Sequence, residues 1–363
     1  MMLLVQNGFI GIYFLCTLSN KASDQYFFKT MMKSLIEGFP AQLREAMNIS
    51  ATAKLNPPSN PIRNVVVAGM GGSGIGGSLV KALSNDELSV SLDVSKSYGI
   101  PGYTDEHTLF IACSFSGNTE ETLAATEKAR EKGAMIVAIT SGGKMEAFAK
   151  ANNYDVIMIP GHSNSPRASI GYSFVQIFHI LAHYGLIPGN HFEELQNSAN
   201  LLEAESESIH QTSLEITAYC KDKLPILYGD SSLEAVLVRA QQQIAENSKQ
   251  LSHVNVFPEM NHNELVGWKF PDVVFNNAAT ILLRTSFDHP RTSMRLDVCR
   301  DIFRDVAGSV WELEAKGNTP LEQSIYLIHL LDWVSFDLAE ANGVDPFPVD
   351  VINFLKNELA KVA

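Results

Sequence analysis

Most of the side chains able to do chemistry fall in four short segments. The densest is Glu246-Asn-Ser-Lys249, followed by Phe257-Pro-Glu-Met-Asn-His262-Asn-Glu264-Leu-Val-Gly-Trp268. A carboxylate and an imidazole of this kind can divide general-base and general-acid work. Taken singly, Glu246 also reads as a solvated position closing a semi-apolar helix, and His262 as a hydrogen-bonded structural histidine. Asn164-Ser-Pro-Arg167-Ala-Ser-Ile-Gly-Tyr172 sets an arginine where a loop enters a helix. Its planar, permanently charged fork can stabilise an oxyanion, or it can serve a plain surface ion pair. Ser114-Phe-Ser-Gly-Asn-Thr-Glu-Glu-Thr122 groups three hydroxyls, Ser114, Ser116 and Thr119, around Gly117. Three donors beside a helix N-terminus suit the acceptor oxygens of a phosphate monoester. An ordinary capping box with Glu120 or Glu121 would need only one of them. The last segment is Gly69-Met-Gly-Gly-Ser-Gly-Ile-Gly-Gly77, where bare backbone lets a ligand approach the positive end of a helix. Gly69, Gly71 and Gly74 loosely satisfy a dinucleotide fingerprint, with Asp93 placed as a ribose-binding acid would be, but no Walker A lysine follows. Close packing of helix on strand is the other use of such glycines. Two such loops on adjacent strand ends fit one sugar phosphate better than a dinucleotide.

The elements that must position these segments alternate strand and helix. After a helical lead-in over residues 32–47 and a break at Leu-Asn-Pro-Pro-Ser-Asn-Pro, residues 65–68 form a short buried strand. The glycine turn and a helix over 78–83 follow, then strands over 88–94 and 108–113. The hydroxyl-rich turn and a helix through 130 come next, then strands over 135–140 and 156–159. This order means βαβ units and a parallel, doubly wound sheet. A long helical stretch over 168–220 leads to a second α/β unit. It opens with a strand at 225–228 and a helix at 233–247, and continues through 273–275, 280–283 and 309–313 to a helical C-terminus. The fold class expected is α/β. Three segments are expected: an extension over residues 1–31, a first domain with its lead-in over 32–190, and a second domain over 191–363.

Composition narrows the function classes. The 363 residues are 45% hydrophobic and 18% charged, as in an ordered globular chain rather than a disordered one. With 27 basic and 40 acidic side chains the formal charge is -13, a poor footing for nucleic acid or an anionic membrane. The cysteines, Cys16, Cys113, Cys220 and Cys299, lie far apart with no CxxC pair. No disulfide framework or metal site is expected, and a reducing cytoplasm is. Residues 1–19 are mostly apolar, yet no basic residue precedes Lys21, and Asn7, Gly8 and Gly11 interrupt the run. A non-targeting extension is expected there, with Met31 or Met32 as an alternative start. No other stretch is long and apolar enough to span a bilayer.

Taken together, AGMGGSGIGG, SFSGNTEET, SPRASIGY, AENSKQ and FPEMNHNELVGW resemble the bifunctional phosphoglucose/phosphomannose isomerases of the sugar-isomerase (SIS) superfamily. The resemblance runs from about Met32 to the C-terminus. It implies two SIS-type domains, each a parallel sheet flanked by helices, in a homodimer with the active site near the subunit interface. It implies a hexose 6-phosphate substrate and no cofactor. By the same resemblance Gly71, Gly72 and Ser73 contact the sugar, and Ser114, Ser116 and Thr119 bind the phosphate. Arg167 would stabilise an enediolate and Glu246 would move the proton between C1 and C2. His262, from the neighbouring subunit, would assist ring opening together with Lys356 in VINFLKNEL. Phe347 stands where the pattern has threonine. A ring directed inward would crowd C2 and favour glucose 6-phosphate alone; one packed on the domain surface would leave the pocket open. A noncatalytic phosphosugar sensor would need the phosphate loops but not Glu246, His262 and Lys356 together.

Overall fold

The computed structural model describes residues 30–163 and 165–361. Almost all of the N-terminal extension, with Cys16, lies outside the described residues, as does Asn164 of the arginine segment.

Five strands form the first sheet: β1 (Asn64–Ala68), β2 (Ser91–Ser95), β3 (Thr108–Ser114), β4 (Met135–Thr140) and β5 (Asp155–Met158). All pair in parallel in the order β2-β1-β3-β4-β5. The runs Val-Val-Val-Ala and Thr-Leu-Phe-Ile-Ala-Cys-Ser are apolar without alternation because a parallel strand is covered on both faces. Alternate residues do go to different cores. Val65, Val67, Leu109 and Ile111 meet α2 (Gly71–Ser84) and α5 (Ile170–His183), over which α1 (Phe39–Thr52) also packs. Val66, Phe110, Ile136 and Ala138 meet α3 (Glu120–Glu131) and α4 (Gly143–Ala151).

After α6 (His191–Ala204) and α7 (Ser206–Cys220) comes a second parallel sheet. Its strands are β6 (Leu224–Asp230), β7 (His253–Phe257), β8 (Ala278–Arg284) and β9 (Val310–Glu314), in the order β7-β6-β8-β9. Its helices are α8 (Glu234–Ser248), α9 (Pro290–Ala307), α10 (Pro320–Ala341) and α11 (Asp350–Leu359). One core runs from the first sheet to the second, joining Val65 and Ile111 with Leu227, Ile281 and the buried side chains of α10. In each sheet the chain order reverses beside the central strand, which opens a crevice at the strands' C-terminal ends.

Several expected elements are corrected. The first glycine-flanked helix starts at Gly71 rather than residue 78, because glycines 76 and 77 seat it closely on Ser173 and Val67. Residues 88–90 do not join β2: Leu88 closes a turn onto Ser84, and the Ser89 amide bonds Leu186. The stretch 168–220 is three helices, broken at Gly185-Leu-Ile-Pro-Gly189 and again at Glu205. Residues 273–275 form a helical turn, begun by Pro271 and Asp272. Strand β7 was not expected, since polar His253 and Asn255 interrupt its apolar run.

Candidate active site

The crevice of the first sheet is bounded by the turn after β1 and the loop after β3. A Cβ on Gly72 would stand 2.7 Å from the Pro166 carbonyl oxygen, so only glycine lets this turn lie against Pro166–Ala168. Ser73 is buried beside the Cys113 thiol near the end of β3. Burial pushes that thiol up to about 11, which leaves it neutral and without a nucleophile's reactivity. In the neighbouring loop the Ser114 hydroxyl donates to Thr119 Oγ1 at 3.0 Å, and Ser116 Oγ accepts from the Asn118 amide at 3.2 Å. Thr119 holds the N-cap position of α3, yet its side chain makes no capping bond. Ser114 and Thr119 therefore meet beside an uncapped helix N-terminus, with Ser116 exposed in the same loop, an arrangement that can accept an anion. Gly117 has φ +67°, and a Cβ there would lie 1.7 Å from the Gly142 carbonyl oxygen. The loop is thereby held tightly against the turn that follows β4.

Arg167 and Glu246, distant in sequence, meet above this crevice. Arg167 Nη1 lies 3.6 Å from Glu246 Oε2. Its Nε donates to Asn247 Oδ1 at 2.8 Å, and Nη2 donates to the carbonyl oxygens of Pro346 and Phe347, each at 2.8 Å. Three donors are thus spent on the protein, and the Nη1 pair is left facing the carboxylate. Burial lowers the Arg167 pKa, opposed by Glu246 and Asp345, but a guanidinium stays charged in proteins. A second buried pair braces the first: Arg239 Nη2 bonds Asp332 Oδ2 at 2.6 Å and the Arg167 carbonyl oxygen at 3.2 Å. Asn247 in turn donates to Ser335 Oγ at 2.9 Å, tying α8 to α10.

Helix α8 ends at Lys249, which adopts a left-handed conformation with φ 54°. Its Nζ donates to the Pro348 carbonyl at 2.7 Å and back to the Glu246 carbonyl. Burial lowers the Lys249 pKa, and the nearby Arg167 charge adds to that effect. Asn247 and Lys249 were not singled out in the sequence, although a polar Glu-Asn-Ser-Lys run closing a semi-apolar helix was the available signal. Phe347 contributes its carbonyl to Arg167, while its side chain packs half-buried against the main core.

The structure therefore brings together Gly72, Arg167, Glu246 and the 346–348 segment, with Gly71, Ser73, Ser114, Ser116 and Thr119 along the crevice. His262 and Lys356 are not joined to that cluster. Both stand exposed, on the short turn Glu259–His262 and on α11. A cavity of about 960 Å³ on the other flank of α2 is lined by Lys81, Asp93, Lys96 and Glu234 and by none of these residues. Among the described residues no group of His, Cys, Asp and Glu side chains could hold a metal ion. No helix among them is long and apolar enough to cross a membrane.

Parallel sheets whose glycine-rich and hydroxyl-rich loops meet at one crevice are those of a SIS-domain protein. A family model described as the SIS domain matches residues 61–165, and one described as the bacterial phospho-glucose isomerase C-terminal SIS domain matches residues 209–359. The bifunctional phosphoglucose/phosphomannose isomerase of Caldicellulosiruptor bescii is 37% identical over 334 residues, which cover 90% of this chain and 98% of that protein. The Aquifex aeolicus protein of the same name is 35% identical over 304 residues, covering 84% and 92%. Among solved structures, the C-terminal domain of glucosamine-fructose-6-phosphate aminotransferase from Francisella tularensis shares the fold. It has a TM-score of 0.67 at 15% identity, covering 87% of this chain and 97% of that one. The chain belongs to the bifunctional phosphoglucose/phosphomannose isomerase family.

Proposed function

We propose that the chain interconverts fructose 6-phosphate with glucose 6-phosphate and mannose 6-phosphate by proton transfer through a cis-enediolate. The observation that carries this reading is the carboxylate of Glu246 held 3.6 Å from Nη1 of a buried guanidinium whose other donors, Nε and Nη2, are bonded to Asn247, Pro346 and Phe347. Glu246 takes the C1 proton of the open-chain ketose and returns it at C2. Negative charge builds on the sugar oxygens as it does so, and preorganised donors such as Arg167 Nη1 stabilise that charge. Ser114, Ser116, Thr119 and the N-terminus of α3 hold the phosphate, while Gly71, Gly72 and Ser73 line the sugar. Fixing the remote phosphate places C1 and C2 within reach of the base.

His262 and Lys356 open the sugar ring, and a partner subunit supplies His262 in a homodimer. The exposed position of His262 supports this, as do exposed Val266, Phe270 and Val273 beside it and Val351, Phe354 and Leu355 on α11. A sensing module would need the phosphate loop but no carboxylate against a buried arginine. The place of action proposed is the cytoplasm. Incubating the purified chain with fructose 6-phosphate and identifying the products tests the reading. Both aldose phosphates are expected; unchanged ketose would overturn it.

A further inference from the structure

The His262 turn is anchored on both sides by side chains with no part in the mechanism above. On one side, Asn261 Nδ2 donates to Cys299 Sγ at 3.2 Å, and Arg295 Nη1 donates to Asn261 Oδ1 at 3.2 Å. On the other side stands Glu264. Its Oε1 accepts from the Tyr228 hydroxyl and lies 2.9 Å from His253 Nε2, and its Oε2 accepts from Asn255 Nδ2. The donors come from two neighbouring strands, in which Tyr228 of β6 pairs with Asn255 of β7. Tyr228 is fully buried and also accepts from Trp268 Nε1 at 3.0 Å, so the clamp is rooted in the apolar core of the second sheet. Burial raises the Glu264 pKa, but bonds from His253, Tyr228 and Asn255 outweigh it and bring it down to about 2. The carboxylate is thus ionised and engaged on both oxygens.

We propose that Glu264 is a positioning residue for His262: by binding Tyr228, His253 and Asn255 it fixes the turn that presents the imidazole at the protein surface. The inference rests on the reading that His262 assists ring opening. His262 is exposed, so its place is set by the residues on either side of it. Misplacing a reacting group by an ångström can cost about 10²-fold in rate. Glutamine at position 264 keeps the size but offers one carbonyl oxygen to three donors, and its amide nitrogen faces one of them without an acceptor.

A purely structural clamp and a positioning clamp are separated by a substrate that needs no ring opening. 5-Deoxyfructose 6-phosphate has no C5 hydroxyl and a blocked O6, so it stays open-chain. Turnover of this analogue and of fructose 6-phosphate is measured for wild type, Glu264→Gln, Asn255→Ala and His262→Ala. Asn255→Ala removes a single donor and guards against a folding failure in Glu264→Gln. Glu264→Gln is expected to lose about tenfold or more in kcat on fructose 6-phosphate, with KM and analogue turnover within about threefold of wild type. Asn255→Ala should show the same selectivity at smaller size. Equal losses on both substrates in the two clamp variants, with His262→Ala still selective, would overturn the positioning role. A His262→Ala variant without selectivity would instead overturn the ring-opening reading, and the inference with it.

Discussion

Replacing Arg167 with lysine keeps one positive charge and removes the planar fork. In the structure Nε and Nη2 hold three acceptors: Asn247 Oδ1 and the carbonyl oxygens of Pro346 and Phe347. An ammonium on a flexible stem cannot meet acceptors on two sides while also presenting donors towards Glu246. With hydrogen bonds to charged groups contributing about 1.5–3 kcal/mol each, loss of one or two should destabilise the fold by about 2–4 kcal/mol. The effect on catalysis is separate. Losing one preorganised donor at a developing oxyanion costs about 10²–10³-fold in kcat, and Nη1 is the donor left for that purpose. Asn247→Ala serves as the control, because it loosens the guanidinium without removing it and should cost far less in rate. Urea unfolding and steady-state kinetics with fructose 6-phosphate read both effects. An Arg167→Lys enzyme with kcat within fivefold of wild type would refute the assignment of Arg167 to the enediolate.

The remaining expectations concern substrate binding, substrate range and pH. Ser116 is exposed, so Ser116→Ala should change stability by less than about 0.5 kcal/mol while raising KM for sugar phosphates by about tenfold or more. A bound fructose 6-phosphate with its phosphate outside the 114–119 loop would sink this. Because the Phe347 ring packs on the main core, Phe347→Thr should cost about 1–3 kcal/mol of stability. The ratio of kcat/KM for mannose 6-phosphate to glucose 6-phosphate should stay within threefold, and a much larger rise would place the ring in the pocket. The Glu264 clamp should make stability depend on pH at two ends. The carboxyl stands at about 2 against an ordinary 4.5, so its contribution is present above 4.5 and lost as pH falls through that interval. His253 is raised above its ordinary 6.5 by its bond to Glu264, against burial, so its contribution is present below 6.5 and lost as pH rises through the raised value. The gap between the urea midpoints of wild type and Glu264→Gln should close at the acid end and only narrow at the alkaline end, where the Tyr228 and Asn255 bonds persist; parallel curves would contradict the clamp.

The central strands were legible because β1, β3 and β4 are buried on both faces and carry unbroken apolar runs. The loops that follow β1 and β3 were legible because they need glycines and hydroxyls that a plain turn does not. Strand β7 escaped for a related reason: His253 and Asn255 face Glu264 rather than the core, so its pattern looked like a loop. The start of α2 was misplaced because glycine disfavours helix in isolation, whereas here tight seating on the sheet decides. The partnership of Arg167 with Glu246 is a property of packing between distant segments, and no local spacing encodes it. Only resemblance linked the two in the sequence. Lys249 is named in the sequence only as the end of its segment, without a role, because its left-handed backbone and its bond to Pro348 come from tertiary contacts. His262 and Lys356 stand apart from the cluster within one chain, so the ring-opening roles proposed for them rest on resemblance rather than on this geometry.

The most direct test is deuterium incorporation at C2 of the aldose phosphates formed from fructose 6-phosphate in deuterium oxide, comparing wild type with Glu246→Gln by NMR. A carboxylate that carries the proton between C1 and C2 exchanges part of it with solvent, so wild-type products should hold deuterium at C2. The glutamine variant keeps the shape of the side chain but cannot accept the proton. Incorporation should fall by about 10²–10⁴-fold in it while the sugar phosphate still binds. A Glu246→Gln enzyme that labels C2 at close to the wild-type rate would contradict the assignment of Glu246 as the base, and with it the proposed mechanism.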